Sequence, residues 1–244
     1  MPKIDTSRRS DKIEIMDDFD LKGPELARTL DDLDNINAWL GGNKITINGV
    51  EQLLNKAEKG KTIRIADIGC GNGTMLRKLS AWGKKNEFDL ELTGIDANIH
   101  AIEIGIKISK DHPNIKFKSM DIFSDEFQHL NFDIIICTLT LHHFKDEKII
   151  DLIANFLDQT TIGLVINDLH RSKVAYHLFK AFCWVFVNNE IARKDGLISI
   201  LRGFKMSDLK NYKSAIPEST HSIKWKWAFR YQWIIEKKIS IYER

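Results

Sequence analysis

The spacing of apolar residues changes rhythm near Thr62. Before that point Leu26, Leu30, Leu33 and Leu40 recur at helical intervals with acidic residues between them, which predicts an amphipathic helix over Pro24–Leu40. Gly41-Gly42 stops it. Asn48, followed three residues later by Glu51, resembles a capping box opening a second helix with Val50, Leu53, Leu54 and Ala57 on one face. Beyond Thr62, short apolar runs predict strands at Thr62–Ile68, Leu90–Ile95, Ile115–Ser119, Asp133–Cys137 and Ile162–Asn167. Met75, Leu76, Leu79 and Trp82 mark the helix after the first strand, and Ile149, Leu152, Ile153, Phe156 and Leu157 the helix before the fifth. Ile102, Ile104, Ile106 and Ile108 alternate with period two. The segment is nevertheless read as a helix capped by Asn98, because a strand there would break the strand–helix alternation.

That alternation implies parallel pairing with right-handed crossovers and both sheet faces covered. The continuous run Ile134-Ile135-Ile136 fits a central strand buried on both sides. After Arg171 comes an insertion of mostly helical character, at about 172–203. Ser207 is expected to cap a short helix through Leu209. Ile223, Trp225 and Trp227, then Phe229, Tyr231 and Trp233, form two alternating runs that suit an antiparallel pair at the sheet edge. The expected architecture is α/β, a Rossmann-like doubly wound seven-stranded mostly parallel sheet with an antiparallel edge strand. A helical cap over residues 1–60 precedes a domain over 61–244 that carries the helical insertion.

The chain has 36 basic and 34 acidic residues, a net charge of +2, which gives no electrostatic case for nucleic acid. Cys70, Cys137 and Cys183 lack a metal-ligand spacing and read as free thiols of a reducing cytoplasm, so no metal is expected. Met1–Asp20 has no apolar signal core. Val174–Val187 is strongly apolar but shorter than the roughly 20 residues of a membrane span, and it carries His177 and Lys180. It reads as a buried or lid helix; weak contact with lipid or a greasy substrate is the alternative.

Candidate chemistry gathers at the strand ends. The first strand runs into Asp67-Ile68-Gly69-Cys70-Gly71-Asn72-Gly73, where an open α/β sheet binds ligands and where glycine lets backbone approach them. The spacing is Gly-x-Gly-x-Gly, one residue short of the dinucleotide pattern. A carboxylate at Asp67 would repel a pyrophosphate yet suits the ammonium of an amino-acid-bearing cofactor. Asp96 closes the second strand, placed to accept two ribose hydroxyls. Asp121 follows the third, placed to accept the amine of adenine while Ile122 packs on the ring; capping a turn is its structural alternative.

These residues resemble the class I S-adenosylmethionine-dependent methyltransferases, most strongly between Asp67 and Asp168. Within that superfamily Leu139–Phe144, Asn167–Arg171 and Met16-Asp17-Asp18 are similar to small-molecule methyltransferases of the ubiquinone/menaquinone and phenolic-lipid type. The resemblance implies S-adenosylmethionine as cofactor, with Asp67 near the methionine ammonium, Asp96 on the ribose and Asp121-Ile122 on adenine. Gly69, Cys70, Gly71, Gly73, Ala97 and Thr138 would complete the cofactor site, under an amino-terminal helical cap.

The resemblance also sets the loop Leu139–Phe144 beside the methyl group. An imidazole there can take a proton from a hydroxyl, a gain of about 10²–10⁴-fold. His143 is the first candidate for general base, with His142 and His170 in reserve. Asp168 or His170 would orient a polar acceptor or hold the insertion in place, and Arg8 and Arg9 would reach over the cofactor or form a solvated basic tip. The aromatic content of the insertion, Tyr176, Phe179, Phe182, Trp184 and Phe186, points to a small hydrophobic acceptor, phenolic or quinol-like. O-methylation leads and C-methylation follows. A catalytically silent S-adenosylmethionine-binding or scaffold protein is the rival of another class, and an NAD(P)-dependent oxidoreductase is disfavoured by Asp67 and the glycine spacing.

Overall fold

A computed structural model describes residues 4–55 and 60–238. Its seven strands are β1 (Ile63–Ile68), β2 (Leu90–Asp96), β3 (Ile115–Ser119), β4 (Phe132–Thr138), β5 (Thr160–Leu169), β6 (Ser219–Lys226) and β7 (Arg230–Lys237). They form one sheet in the order β3-β2-β1-β4-β5-β7-β6. Strands β1 to β5 run parallel, and β7 lies antiparallel to both β5 and the edge strand β6. Chain order reverses between β1 and β4, which opens a crevice at their carboxyl ends.

Helices cover both faces: α1 (Gly23–Trp39), α2 (Gly42–Leu54), α3 (Thr74–Lys85), α4 (Ile99–Ile108), α5 (Asp125–Gln128), α6 (Asp146–Asp158), α7 (Lys173–Phe186), α8 (Glu190–Arg202) and α9 (Met206–Ser214). Successive side chains of a strand point to opposite faces. Ile134 and Ile136 therefore pack with Leu53, Leu54, Leu76 and Leu79, while Ile135 packs with Ile149, Phe156 and Trp233 on the other side. Each such side chain, fully buried, contributes about 1.5–3 kcal/mol.

Three local readings change. The second helix starts at Gly42, not at Asn48, because Gly41 turns the chain with φ 75° immediately before it. Asn48 sits inside that helix, where its side-chain oxygen accepts from Gln52 and Gln232; Ala57 lies outside the described residues. Helix α9 begins at Met206 with Lys205, not Ser207, at its N-cap, and the Asp208 carboxylate reaches back to accept the Lys205 N–H. Trp227 and Phe229 belong to the turn between β6 and β7, so the paired registers are Ile223 with Trp233 and Trp225 with Tyr231. The isoleucine-rich segment after Asn98 is helical. Asn98 caps it by accepting the N–H groups of His100 and Ala101, and the period-two pattern survives because Ile99, Ile106 and Ile108 are exposed.

Helix α2 lies on a sheet face, against β5 and β7, whereas α1 crosses above the strand ends to touch α4 and α8. A 3₁₀ turn at Ile15–Asp17 packs on α8, which in turn packs on α7. These pieces roof the crevice. Among the described residues no helix is long and apolar enough to cross a membrane.

Candidate active site

A cavity of about 1160 Å³ opens at the carboxyl ends of β1 to β5 under this roof. Sites for one small molecule are commonly about 300–1,000 Å³, so the space suits two ligands side by side.

One half is walled by the strand ends of β1, β2 and β3. At Gly69 the backbone takes φ 69°, and a Cβ there would stand 2.5 Å from the Thr140 side chain. The N–H groups of Gly69 and Cys70 both turn back onto the Ile95 carbonyl, at 2.8 and 3.2 Å, which fixes the loop across β2. Asp67 is 2 % exposed. Burial, then the carboxylates of Asp96 and Asp34, push its carboxyl well above the ordinary range, and nothing acts in the other direction. Asp96 is also raised, by burial first, although it accepts the N–H groups of Gly71 and Asn98 at 2.8 and 2.9 Å. Asp34, from α1, accepts from Asn72 and Thr74 at 2.8 and 2.5 Å and is raised by burial as well. Three desolvated carboxylates beside one cavity form a receptor for positive charge. A pyrophosphate would meet repulsion there.

Asp67, Gly69, Cys70, Gly71, Asp96, Ala97, Asp121, Ile122 and Thr138 all line the cavity. Asp121 is exposed and also accepts the Phe123 N–H at 2.9 Å, so it caps a turn while facing the crevice. Gly73 does not line the cavity; it precedes α3 with φ 78°, and a Cβ there would run into the Phe117 ring. Its glycine is explained by helix–strand packing.

The other half carries the histidines. Leu139 enters the loop after β4 with φ 57°, a conformation that costs a non-glycine residue energy and marks an imposed geometry. His142 is 2 % exposed, with Nδ1 2.7 Å from Asp168 Oδ1 and Nε2 3.5 Å from Glu14 Oε1, an ion pair rather than a well-formed hydrogen bond. Burial alone would lower its pKa, but the two carboxylates outweigh burial and hold it at about 9. A charged imidazole gripped at Nδ1 is a strut. This geometry moves His142 away from the reserve base that its position suggested.

His143 lines the cavity, with its side chain 27 % exposed and Nδ1 2.5 Å from Asp17 Oδ1. The other Asp17 oxygen accepts from Arg202 at 2.6 Å. Burial would raise Asp17, and His143 and Arg202 draw it far below the ordinary range instead. Glu14 follows the same logic, with His142, His143 and Ser199 overcoming burial. Glu14, His142 and His143 bring ligand atoms within 4.8 Å of one another, the arrangement among the described residues that comes nearest to a metal site. Both Nδ1 atoms already face carboxylates.

His170 does not line the cavity; its Nδ1 accepts from Trp225 at 3.3 Å, outside the β5 end. Asp168 is spent on His142, accepting its backbone N–H as well at 3.1 Å. Arg9 is neither a cofactor clamp nor a solvated tip, since it binds Asp146, the Arg202 carbonyl and the His142 carbonyl; Arg8 stays exposed. Phe179 and Phe182 line the cavity with Leu33, Ile36 and Leu40, whereas Trp184 is 82 % exposed on the outer face of α7. Glu14, Asp17, Asp34 and Arg230 were not singled out as site residues from the sequence. None has a spacing signal, because each reaches its partners across large sequence separations.

The strand order, with β7 inserted antiparallel between β5 and β6, and the acid-lined glycine loop place the cavity at the switch point of a doubly wound fold. Residues 65–161 match the family described as a methyltransferase domain. The plantazolicin methyltransferase BpumL, solved with S-adenosylhomocysteine, superposes with a TM-score of 0.68 at 18% identity, over 88% of this chain and 91% of that one. Magnesium protoporphyrin IX methyltransferase ChlM from Synechocystis PCC 6803, also with S-adenosylhomocysteine, gives 0.54 at 13% identity over 81% and 84%. The CurJ carbon methyltransferase gives 0.61 at 14% identity, over 81% of this chain and 54% of that one. Residues 65–161 thus carry the likeness to a methyltransferase domain, and the solved structures share the fold of this chain.

Proposed function

We propose that the protein methylates a hydroxyl of a small hydrophobic acceptor, phenolic or quinol-like, with His143 as general base. The observation that carries this reading is the His143–Asp17 pair at 2.5 Å on the wall of a cavity that also holds the acidic strand ends. His143 and Asp96 line the same cavity, so base and cofactor side share one chamber.

Asp67 would receive the ammonium and Asp96 the ribose hydroxyls, with Asp121 and Ile122 at the adenine. The burial of three carboxylates, Asp67, Asp96 and Asp34, beside one cavity supports a cofactor that carries positive charge. S-adenosylmethionine, when bound, supplies an electrophilic methyl on a sulfonium. Asp17 keeps the imidazole proton on Nδ1, which leaves the Nε2 lone pair to take the proton of the acceptor hydroxyl as oxygen attacks the methyl carbon. Transfer would form O–CH₃ and break the methyl–sulfur bond that the cofactor would supply, and the proton would end on His143. Phe179, Phe182 and Leu33 exclude water and orient an aromatic body by contact. Trp184, Val185 and Phe186, exposed beside that wall, offer a place for weak contact with lipid or a greasy acceptor. A carbon acceptor would also release a proton, so the same imidazole could serve it.

The test is His143→Gln with a plain phenol as acceptor. Turnover at neutral pH should fall about 10²-fold or more with S-adenosylhomocysteine affinity unchanged. Normal turnover would remove His143 from the chemistry.

A further inference from the structure

Resting on that reading of the acceptor half, we propose that the acceptor carries a carboxylate, received by Arg230 at the amino terminus of α2. Arg230 opens β7 and lines the cavity, yet it is only 2 % exposed, and its Nε and Nη1 find no hydrogen-bond partner. A buried guanidinium without a paired anion is an unusual cost for a fold to carry. Burial draws its pKa down to about 10, opposed by Asp168. Asp168 attracts it but makes no hydrogen bond to it; its oxygens accept from His142 and the Leu169 N–H.

Gly42 and Asn37 lie closest to Arg230, and Asn37 Oδ1 is itself a buried acceptor without a partner. Gly42, the first residue of α2, lies against the guanidinium so closely that a Cβ there would stand 2.9 Å from Arg230 Cζ. The amino terminus of this 13-residue helix follows Gly41, and no side chain caps it and no acid lies in its first turn. Helix amino termini present free N–H groups and a partial positive charge. Asn37 and Asn43, buried and hydrogen-bonded to each other at 2.7 Å, line the cavity beside it. The helix end and the unpartnered arginine are independent features that meet at one spot.

The surroundings specify the rest of the ligand. Ile36 and Leu40 flank Asn37 on α1, and Phe179, Phe182, Leu169 and Phe229 complete an apolar wall. Phe229 is held at φ 54°, which fixes the backbone just before Arg230. Arg230 pairs with Leu169 on β5, two strands from β4, so the subsite stands roughly 10 Å across the sheet from the β4 end that leads to His143. An aromatic acid spans such a distance, with its carboxylate toward Arg230 and its hydroxyl at the base.

A second source of the same chemistry is the amino-acid carboxylate of the cofactor, and the experiment separates the two. Calorimetry and thermal melting compare 3-(4-hydroxyphenyl)propanoate and octanoate with their primary amides, with and without saturating S-adenosylhomocysteine. The wild type should bind each carboxylate at least tenfold more tightly than its amide. Arg230→Met should lose that preference, keep its S-adenosylhomocysteine affinity, and melt higher than wild type without ligand, since the unpaired buried charge is gone. Equal responses of the wild type to acid and amide, including no response to either, overturn the proposal. So does a loss of S-adenosylhomocysteine affinity in Arg230→Met with methylthioadenosine binding intact, which would assign the guanidinium to the cofactor. Should Arg230→Met fail to fold, the acid–amide comparison in the wild type and its retention in Arg230→Lys decide the matter. None of these readouts depends on methyl transfer, so a failed base assignment leaves them standing.

Discussion

Replacing Asp17 by Asn keeps the shape of the side chain and removes its charge. In the native site its two oxygens face His143 Nδ1 at 2.5 Å and Arg202 Nη1 at 2.6 Å. Arg202 can only donate, so the single amide oxygen of Asn must turn toward it, and the amide NH₂ is left facing His143. Nδ1 then becomes an acceptor, the ring proton moves to Nε2, and the lone pair needed by the acceptor hydroxyl is lost. The same inversion of a histidine tautomer is strongly inhibitory in serine proteases. Here the pair is partly exposed and only one proton transfer is involved, so a loss of about 10–10²-fold in kcat is expected. Stability should fall too. Charge-assisted bonds contribute about 1.5–3 kcal/mol each, which partial exposure reduces to about 1–2 kcal/mol for the one lost. In a chain of this size that is a drop of about 2–8 °C in Tm. The assay compares a plain phenol with a nitrophenol that is already ionised at the working pH. Turnover of the phenol should fall while that of the nitrophenolate holds, with S-adenosylhomocysteine affinity unchanged. Equal loss on both acceptors would show that Asp17 acts by holding the roof in place, and no loss on either would refute the pairing.

Other outcomes follow from the same geometry. His142 is held at about 9 in the fold, against an ordinary value of 6.5. Its contribution to stability is therefore complete below about 6.5 and disappears as the pH rises through 9. Denaturant titrations at pH 6, 8 and 10 should show that decline, and Asp168→Asn, which removes the main charge behind it, should flatten it; an undiminished decline in the mutant would contradict the assignment. Phe182→Ala should weaken acceptor binding more than cofactor binding, since Phe182 lines the cavity, whereas Trp184→Ala, at an 82 % exposed position, should leave both within experimental error. Calorimetry with the acceptor that proves active checks the pair, and equal effects at the two positions would contradict it.

The strand–helix alternation was readable because period and burial agree: Ile134, Ile135 and Ile136 serve two cores at once, and a strand buried on both faces is the simplest structure that allows it. The acids at the ends of β1, β2 and β3 were readable for a similar reason, since a strand end fixes both place and direction. Helix starts were less legible. Asn48-x-x-Glu51 has the letters of a capping box, but the turn at Gly41 had already begun the helix, and Asn48 was recruited to bind Gln232 instead. The acceptor half was largely hidden. His142 and His143 are adjacent in sequence, yet one is buried between Asp168 and Glu14 and the other faces the cavity beside Asp17. That distinction comes from the folding-over of residues 14–17, which no local pattern announces. Arg230 was hidden by the same cause, appearing in sequence as one cation among many in the tail.

Calorimetry of S-adenosylhomocysteine against wild type and Asp96→Ala tests whether the acidic strand ends hold S-adenosylmethionine. If Asp96 makes two charge-assisted bonds to a ribose, about 1.5–3 kcal/mol each, its removal should raise the Kd at least tenfold in a mutant whose circular dichroism is unchanged. NAD should give no heat with either protein. An unchanged Kd in folded Asp96→Ala, or saturable binding of NAD by the wild type, would contradict the account.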